Sequence, residues 1–483
     1  MIEVTVLSQD LKDAEADLLA VGAFEGEPLG QLLRRDWGFI NHVNEVCDKE
    51  RFTAALDQQL LVHLPDFGCR RLLLVGLGNK DNYSPLLARR FGAEVARAAN
   101  ARHLTSAVVA LPRGTVGETA NLLAQGIALA SYRFDRYRRQ SDGPSLTDVK
   151  LLASDTKALR AGLARAQATS HAISAARDLV NEPAETMTPQ AMADYARKMA
   201  KERGLECRVL GAKDCEKLGM GLYLAVARGS SQPPRLIHLI YRGTGRGRRA
   251  LVGKGVTFDS GGLSLKPSTS MLDMKTDMAG AAAVIGAMSA LPALGVEGEV
   301  HGIIAATENM ISGDAYRLGD VYRGMNGTSV EIHNTDAEGR LTLADALAYA
   351  LSFEPDELID LATLTGACMI ALGPRIAGVM GNNQRLVDRV LAAGQSTGED
   401  LWQLPLPEHL KEMLKSDIAD LKNVGERWGG ALTAGLFLQS FVGDTPWVHI
   451  DIAGPSSASK AYEHVNKGGT GFGVATLLAY LTK

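Results

Sequence analysis

The sequence predicts an α/β protein of two domains, a smaller N-terminal domain and a larger C-terminal domain. Three observations support this prediction. At 483 residues, the chain is too long for one ordinary domain. Strand-like and helix-like segments alternate along both parts of the chain, which is typical of α/β folds. An alanine-rich stretch, long enough for one helix, lies between these two parts.

The smaller α/β domain is expected over residues 1–150. The runs IEVTVLS and RRLLLVGLG favour strands, and NYSPLLARRFGAEVARAANA favours a helix. A connecting helix is expected over residues 151–180, a range that contains the alanine-rich stretch DTKALRAGLARAQATSHAISAARDLV. It should end near Asn-Glu-Pro, because Pro183 disfavours helical conformation in the residue before it.

The larger domain is expected over residues 181–483. Its strand candidates are RLIHLIY, RALVGKGV, EVHGIIAAT, ELIDLATL and PWVHIDIAG. Its helix candidates are MAGAAAVIGAMSAL, LTLADALAYALS and QRLVDRVLAAGQ. This alternation, with strands that are largely apolar, predicts a central mixed sheet covered by helices on both faces.

Composition narrows the class of protein and its partners. Charged residues make up 22% and hydrophobic residues 46%, as in soluble globular proteins. The net charge of −4 makes nucleic acid unlikely as the main partner. We see no secretory signal and no apolar run of the roughly 20 residues that span a membrane. The five cysteines form no CxxC pair, so we expect no disulfide framework and a cytoplasmic protein.

The stretch NTDAEGRL, residues 334–341, places Asp336, Glu338 and Arg340 at alternate positions after the extended-looking run TSVEIH. On a strand, alternate side chains share one face. Such a cluster could be a solvated strand edge, a structural ion pair, or a metal site with an anion-stabilising cation beside it.

A second charged segment favours the metal site. The stretch LVGKGVTFDSGGLSLKPSTSMLDMKTDMAGAAAV holds Lys254, Asp259, Lys266 and Asp277, and it begins as a strand that runs into a glycine-rich loop. Ligands collect beyond the carboxyl ends of strands in open α/β sheets, so the two segments are expected to converge. Four uncompensated carboxylates would repel each other and take up protons, whereas two divalent cations would neutralise them. Oxygen ligands favour manganese or magnesium, and zinc also accepts them.

The motifs VGKGVTFDSGGLSLKP, KTDMAGAAAV, NTDAEGRL and DLATLTGACMIALG resemble the leucyl aminopeptidase (cytosol aminopeptidase) family, whose signature octapeptide is NTDAEGRL. The resemblance covers the C-terminal domain, and is weaker in the N-terminal domain, where it implies a macro-like fold. It implies a metallo-exopeptidase that releases N-terminal residues, preferentially leucine, from peptides with a free N-terminus. The expected reaction is attack of a dimetal-bound water on the scissile carbonyl.

The resemblance also implies the role of each site residue. Two divalent metal ions, Mn²⁺ or Zn²⁺, would be bound in each subunit of a homohexamer. The implied metal ligands are Lys254 and Asp277 on one ion, Asp336 on the other, and Asp259 and Glu338 bridging both. The implied catalytic residues are Lys266 and Arg340, with bicarbonate bound near Arg340. The implied substrate-pocket residues are Met274, Asn334, Thr363, Leu364 and Gly366.

Two other functions remain open at this point. A dinuclear metal site with an arginine beside it would also suit a phosphoesterase. The N-terminal domain could carry an additional DNA-binding or regulatory role, since some relatives bind DNA.

Overall fold

A computed structural model describes residues 2–7, 10–28, 38–112, 114–139 and 145–482. Its contacts divide the chain into two units. The first consists of Met1–Ser170 and Lys460–Asn466, and the second of His171–Ser459 and Lys467–Lys483.

The first unit is built on a six-stranded sheet with the strand order β1-β6-β5-β2-β4-β3. All neighbouring strands are parallel except β3 and β4, which are antiparallel. The strands are β1 (Glu3–Val6), β2 (Leu18–Ala23), β3 (Gln59–His63), β4 (Arg71–Gly76), β5 (Ser106–Ala110) and β6 (Asp148–Leu152).

Both faces of this sheet are covered. Successive strand residues point to opposite faces, and the residues on each face are apolar. In β2, Leu18 and Ala20 pack in a cluster with residues of two helices, whereas Leu19 and Val21 pack in another cluster with Val43. Among the described residues, three α-helices lie wholly in this unit: α1 (Ile40–Lys49), α2 (Pro85–Asn100) and α3 (Val116–Ala130).

The predicted connecting helix corresponds to α4 (Lys157–Asn181). The division between the two units falls at Ser170 and His171, inside this helix. Strand β6 runs across the predicted domain boundary at residue 150, since it pairs with both β1 and β5. The first unit therefore extends beyond residue 150 and includes the first half of α4.

An eight-stranded mixed sheet forms the centre of the second unit, with the order β15-β14-β17-β13-β9-β10-β8-β7. A three-stranded sheet (β11-β12-β16) and a two-stranded sheet (β18-β19) accompany it. The strands are β7 (Glu206–Leu210), β8 (Arg235–Arg242), β9 (Arg248–Asp259), β10 (Glu299–Asn309), β11 (Val321–Arg323), β12 (Ser329–Glu331), β13 (Glu357–Ala362), β14 (Ala377–Gly381), β15 (Leu401–Gln403), β16 (Leu421–Lys422), β17 (Trp447–Asp451), β18 (Ser457–Ala458) and β19 (Gly468–Gly469).

Helices cover both faces of the large sheet. Besides the second half of α4, the described helices of this unit are α5 (Pro189–Arg203), α6 (Ala212–Lys217), α7 (Gly221–Ala227), α8 (Ser268–Met271), α9 (Ala279–Leu294), α10 (Gly339–Leu351), α11 (Gly366–Leu372), α12 (Gln384–Thr397), α13 (Gly430–Gln439) and α14 (Val474–Leu481). Val252 of β9 packs in one cluster with residues of α7, α10 and α13. Gly253, on the opposite face, meets α9 so closely that a β-carbon there would lie 2.6 Å from Ala281 Cα. This arrangement confirms the predicted α/β fold with a mixed sheet.

The stretch Met274–Leu294, which includes α9, is long and apolar enough by composition to cross a membrane. However, 78% of its most apolar window is buried inside the protein. It packs against strands of the central sheet and against α14. The apolar character of this segment is therefore explained by its place in the core, where a helix is hydrophobic on all sides.

Candidate metal centre

The carboxyl end of β9 begins the site. Asp259 is the last residue of β9 and is almost fully buried. Its Oδ1 accepts hydrogen bonds from the Gly261 N–H and from Asn309 Nδ2, both at 2.8 Å. Its Oδ2 lies 2.9 Å from Lys266 Nζ, and the same ammonium lies 2.5 Å from Asp336 Oδ1. Lys266 thus joins the loop after β9 to the NTDAEGRL segment.

Lys254, also from β9, contacts the NTDAEGRL segment and the segment that precedes α9. Its side chain leaves β9 and is only 3% exposed. Its Nζ lies 2.7 Å from Asp277 Oδ1, 2.8 Å from Glu338 Oε1 and 3.0 Å from the Thr363 carbonyl oxygen. Asp277 is the C-cap of the short 3-10 helix Met274–Thr276. The helix predicted after Asp277 from its small residues is α9, which begins at Ala279.

NTDAEGRL follows a strand, as predicted, but the prediction that Asp336, Glu338 and Arg340 share one strand face is wrong. Strand β12 ends at Glu331 and belongs to the small three-stranded sheet. Asp336 lies in a turn in which Asn334 Oδ1 accepts the Asp336 N–H at 2.8 Å. Glu338 is the N-cap of α10, and Arg340 lies in its first turn. Asparagine favours such turns because its side chain bonds the backbone two residues on.

Arg340 is buried behind the carboxylates. One of its terminal nitrogens (Nη1) donates to the Asn423 carbonyl oxygen at 2.9 Å, and its Nε finds no hydrogen-bond partner among the described residues. Burial lowers the pKa of Arg340 to about 10, against the opposing effects of Glu338 and Asp451. The guanidinium therefore remains a cation at neutral pH.

Burial shifts the pKa values of the charged groups in the centre. It raises the pKa of Asp277 well above its usual range, and it raises those of Asp259 and Asp336 as well. Burial acts to lower the pKa of Lys254, but the neighbouring carboxylates of Asp277, Glu338 and Asp259 outweigh it, so the pKa rises. The carboxylates thus carry a desolvation cost that bound cations would offset.

The residues fit a divalent cation. Oxygen atoms of Asp259, Asp336 and Glu338 lie within 4.8 Å of one another. Asp277 Oδ2 and Glu338 Oε2 are buried, and within the described ranges neither accepts a hydrogen bond. Buried carboxylate oxygens without donors are rare unless something else binds them. Four acidic side chains and two lysines therefore surround one small volume, with oxygen donors suited to hard or borderline cations.

The predicted substrate-pocket residues lie around this centre with different degrees of contact. Thr363 touches it directly, since its Oγ1 donates to Asp277 Oδ1 at 2.7 Å. Leu364 follows it in the same loop, and Gly366 begins α11 with open space at its α-carbon. Asn334 shapes the turn around Asp336, and Met274 is linked to the centre through its carbonyl, which accepts the Asp277 N–H at 3.3 Å.

Three polar residues that support the centre were missed by the sequence interpretation. Asn309 orients Asp259 and ends β10, the neighbour of β9, so the strand-end rule could have found it. Asn423 accepts the N–H groups of His333 and Asn334 and donates to the Asn334 carbonyl oxygen. Asp451 accepts the Leu364 N–H. Asp451 also ends a predicted strand, β17, so the same rule could have found it, whereas no local pattern marks Asn423.

Family models match both parts of the chain. Residues 174–478 match the cytosol aminopeptidase family, catalytic domain, and residues 20–141 match the cytosol aminopeptidase family, N-terminal domain. The chain belongs to the cytosol aminopeptidase family. The resemblance inferred from the motifs is thereby confirmed, and the protein is a metal-dependent aminopeptidase of the leucyl type.

Curated proteins and solved structures match this chain over nearly its whole length. The Probable cytosol aminopeptidase of Gloeobacter violaceus is 44% identical over 486 residues, covering 96% of each chain. That of Aquifex aeolicus is 41% identical over 490 residues, covering 100% of this chain and 98% of its own. The bottromycin maturation enzyme BotP in complex with Mn superposes with a TM-score of 0.87 at 39% identity, covering 97% and 99% of the two chains. A mutant tomato leucine aminopeptidase gives 0.90 at 36% identity, covering 100% and 96%.

Proposed function

We propose that this aminopeptidase releases N-terminal residues, preferentially leucine, from peptides with a free N-terminus by means of two divalent cations, Mn²⁺ or Zn²⁺. The observation that carries the proposal is the packing of Lys254 Nζ against Asp277 and Glu338, beside the cluster of Asp259, Asp336 and Glu338 oxygens. Manganese is supported by the solved relative in complex with Mn. The carboxylate chemistry alone also suits zinc.

The contacts support a division of the ligands between two cations. Lys254 and Asp277 lie together on one side, and Asp336 lies with Lys266 on the other. Glu338 contacts the first group, and its oxygens are also close to those of Asp259 and Asp336, which suits a bridging position. Lys254 binds a metal only as the neutral amine, so cation binding at this position displaces its proton.

The bound ions would lower the pKa of a water molecule and polarise the scissile carbonyl. The chain's own cations complete the proposed chemistry. Lys266 is 15% exposed at the edge of the cluster, where its ammonium can donate to the oxygen that gains charge in the transition state. Arg340 stays protonated, and its Nε finds no partner in the part of the chain described. It can therefore anchor an anion, and we propose bicarbonate as that anion.

Chelation tests the metal dependence. After exhaustive dialysis against a chelator, hydrolysis of leucine p-nitroanilide should fall to background, and Mn²⁺ or Zn²⁺ should restore it. Activity that survives metal removal, verified by elemental analysis, would contradict the proposal. The same preparation should leave p-nitrophenyl phosphate unhydrolysed, which separates peptidase from phosphoesterase chemistry. A salt-dependent gel shift that persists in Lys266→Ala would reveal an additional DNA-binding activity.

We also propose that the protein assembles as a homohexamer in the cytoplasm. The family resemblance supports the hexamer, and the cytosol aminopeptidase names of its relatives support the location. The five cysteines form no disulfide among the described residues, which agrees with a reducing compartment. Light scattering coupled to gel filtration should give a particle of six chains, and a monomer at micromolar concentration would contradict the assembly.

A further inference from the structure

Thr363 fixes the loop between β13 and α11 on the side that faces the candidate metal centre. Its carbonyl oxygen accepts from Lys254 Nζ at 3.0 Å, and its Oγ1 donates to Asp277 Oδ1 at 2.7 Å. Any shift of this loop therefore changes the position of groups that touch the metal centre. The next three residues, 364–366, carry two of the proposed substrate-pocket positions, Leu364 and Gly366.

On its other side, the loop is fixed by one buried carboxylate. Asp451 is the last residue of β17, pairs with Ala362 of β13 and is completely buried. Its Oδ1 accepts the Leu364 N–H and the Ala453 N–H, each at 3.1 Å. Its Oδ2 accepts from Thr365 Oγ1 at 2.7 Å. Both oxygens are thus used, and two of the three donors belong to the substrate loop.

The contact with Thr365 continues into α11. Thr365 is the N-cap of this helix, and its Oγ1 accepts the Cys368 N–H at 3.0 Å while it donates to Asp451. A hydroxyl that both accepts and donates has a fixed orientation. Asp451 therefore sets the start of α11 as well as the backbone of Leu364.

Buried hydrogen bonds hold β17, the strand that carries Asp451, in place. On the same face of β17, His449 Nδ1 lies 2.6 Å from Asp360 Oδ1, and Trp447 Nε1 donates to Asp360 Oδ2 at 2.7 Å. All three side chains are fully buried. This network ties β17 to β13, the strand that leads into the loop, so Asp451 cannot follow a displaced loop without breaking buried hydrogen bonds.

We infer that Asp451 is a positioning residue that fixes Leu364 and Thr365 as a wall of the substrate pocket, and so sets the preference among N-terminal side chains. This inference rests on the proposed function, because it takes Thr363, Leu364 and Gly366 as pocket residues. Among the described residues, the hydrogen bonds of the Asp451 carboxylate go to this loop and to Ala453, and none goes to a proposed metal ligand. Removal of Asp451 should therefore change which substrate is preferred, and leave the metal in place.

The test compares leucine and alanine p-nitroanilides on the metal-loaded, full-length enzyme. Hydrogen bonds to charged groups contribute roughly 1.5–3 kcal/mol, which corresponds to about 10- to 100-fold. Asp451→Ala should change the leucine-to-alanine ratio of kcat/KM by at least about tenfold, with the metal content per chain unchanged. An equal loss on both substrates, or no loss, would overturn the inference.

Two more conservative variants, at Thr365, test the inference if Asp451→Ala fails to fold. Thr365→Val keeps the shape of the side chain but removes its hydrogen bonds to Asp451 and Cys368, and it should change the same ratio. Thr365→Ser restores the hydroxyl and should restore the parent ratio, which a purely steric role would not predict. If Thr365→Val and Thr365→Ser give the same ratio, the inference is wrong. If the parent itself has no chelator-sensitive peptidase activity, the proposed function fails instead.

Discussion

Gly339 lies directly against the end of the Lys254 side chain. A β-carbon on Gly339 would be 2.5 Å from Lys254 Cε and 2.7 Å from its Nζ, closer than carbon and nitrogen atoms can approach without displacement. Gly339 is the first residue of α10, so the start of this helix is pressed onto the lysine. The glycine in NTDAEGRL is thus required by the position of a residue 85 positions earlier in the chain.

Gly339→Ala should therefore damage the metal centre. Lys254 is almost fully buried, so its ammonium can yield only by leaving Asp277 or Glu338. A misplacement of about 1 Å in such a site costs about 100-fold in rate, and we expect at least that loss in kcat/KM together with reduced metal content. Gly313→Ala is the matched control, because a β-carbon there meets nothing within 4 Å. Parent-like activity and metal content in Gly339→Ala would show that Lys254 has room to move.

Lys266→Met separates catalysis from metal binding. Lys266 contacts Asp259 and Asp336, but in the proposed roles it donates to the substrate oxygen and binds no metal. Loss of one such donor lowers turnover by about 10²–10³-fold, and we expect this fall in kcat with metal content retained. Lys415→Met, at an exposed lysine paired with Glu412, should behave like the parent. Loss of metal from Lys266→Met would assign the lysine to holding the carboxylates instead.

Much of the fold could be predicted because its signals are local. The small-residue run after Asp277 predicted a buried helix, and α9 is buried on nearly all sides. The alanine-rich stretch predicted α4. Its composition could not show that the first half of this helix belongs to the first unit and the second half to the second unit. That division depends on tertiary contacts, which have no local pattern.

The site shows the same difference between local and distant signals. The charges of Lys254, Asp259 and Glu338 were recognised because four acids need compensation wherever they meet. The strand alternation that first grouped Asp336 with Glu338 was wrong, since a turn and a helix start bring them together. Asn423 was missed because it comes from a separate segment far along the chain, and only the folded structure brings it to the site. Asp451 ends a predicted strand, but only the folded structure shows that this strand lies beside β13.

The stability of the protein should depend on pH through the buried carboxyl group of Asp345. Asp345 lies inside α10, is completely buried, and accepts the N–H groups of Tyr223 and Met325, each at 2.8 Å. Burial raises its pKa to about 7, against the opposing effect of these hydrogen bonds. An unfolded aspartate has a pKa of about 3.9. Between about pH 4 and pH 7, the folded protein therefore holds a proton that the unfolded chain has lost, so stability falls as the pH rises through this range.

Asp345→Asn removes this titration, so the melting temperature of the variant relative to the parent should rise between pH 5 and pH 8. Two pKa units of linkage correspond to about 3 kcal/mol. Asp17→Asn is the control, because hydrogen bonds from Thr105 and Ser106 lower the pKa of Asp17 below its usual range. Its contribution is complete above about pH 4 and is lost only in more acidic solution, so its melting difference should stay constant from pH 5 to pH 8. Thermal scans of the three proteins at equal metal saturation measure both differences. The melting-temperature difference between Asp345→Asn and the parent could instead stay constant from pH 5 to pH 8, like that of Asp17→Asn. That result would show that Asp345 is ionised in the folded protein throughout this range.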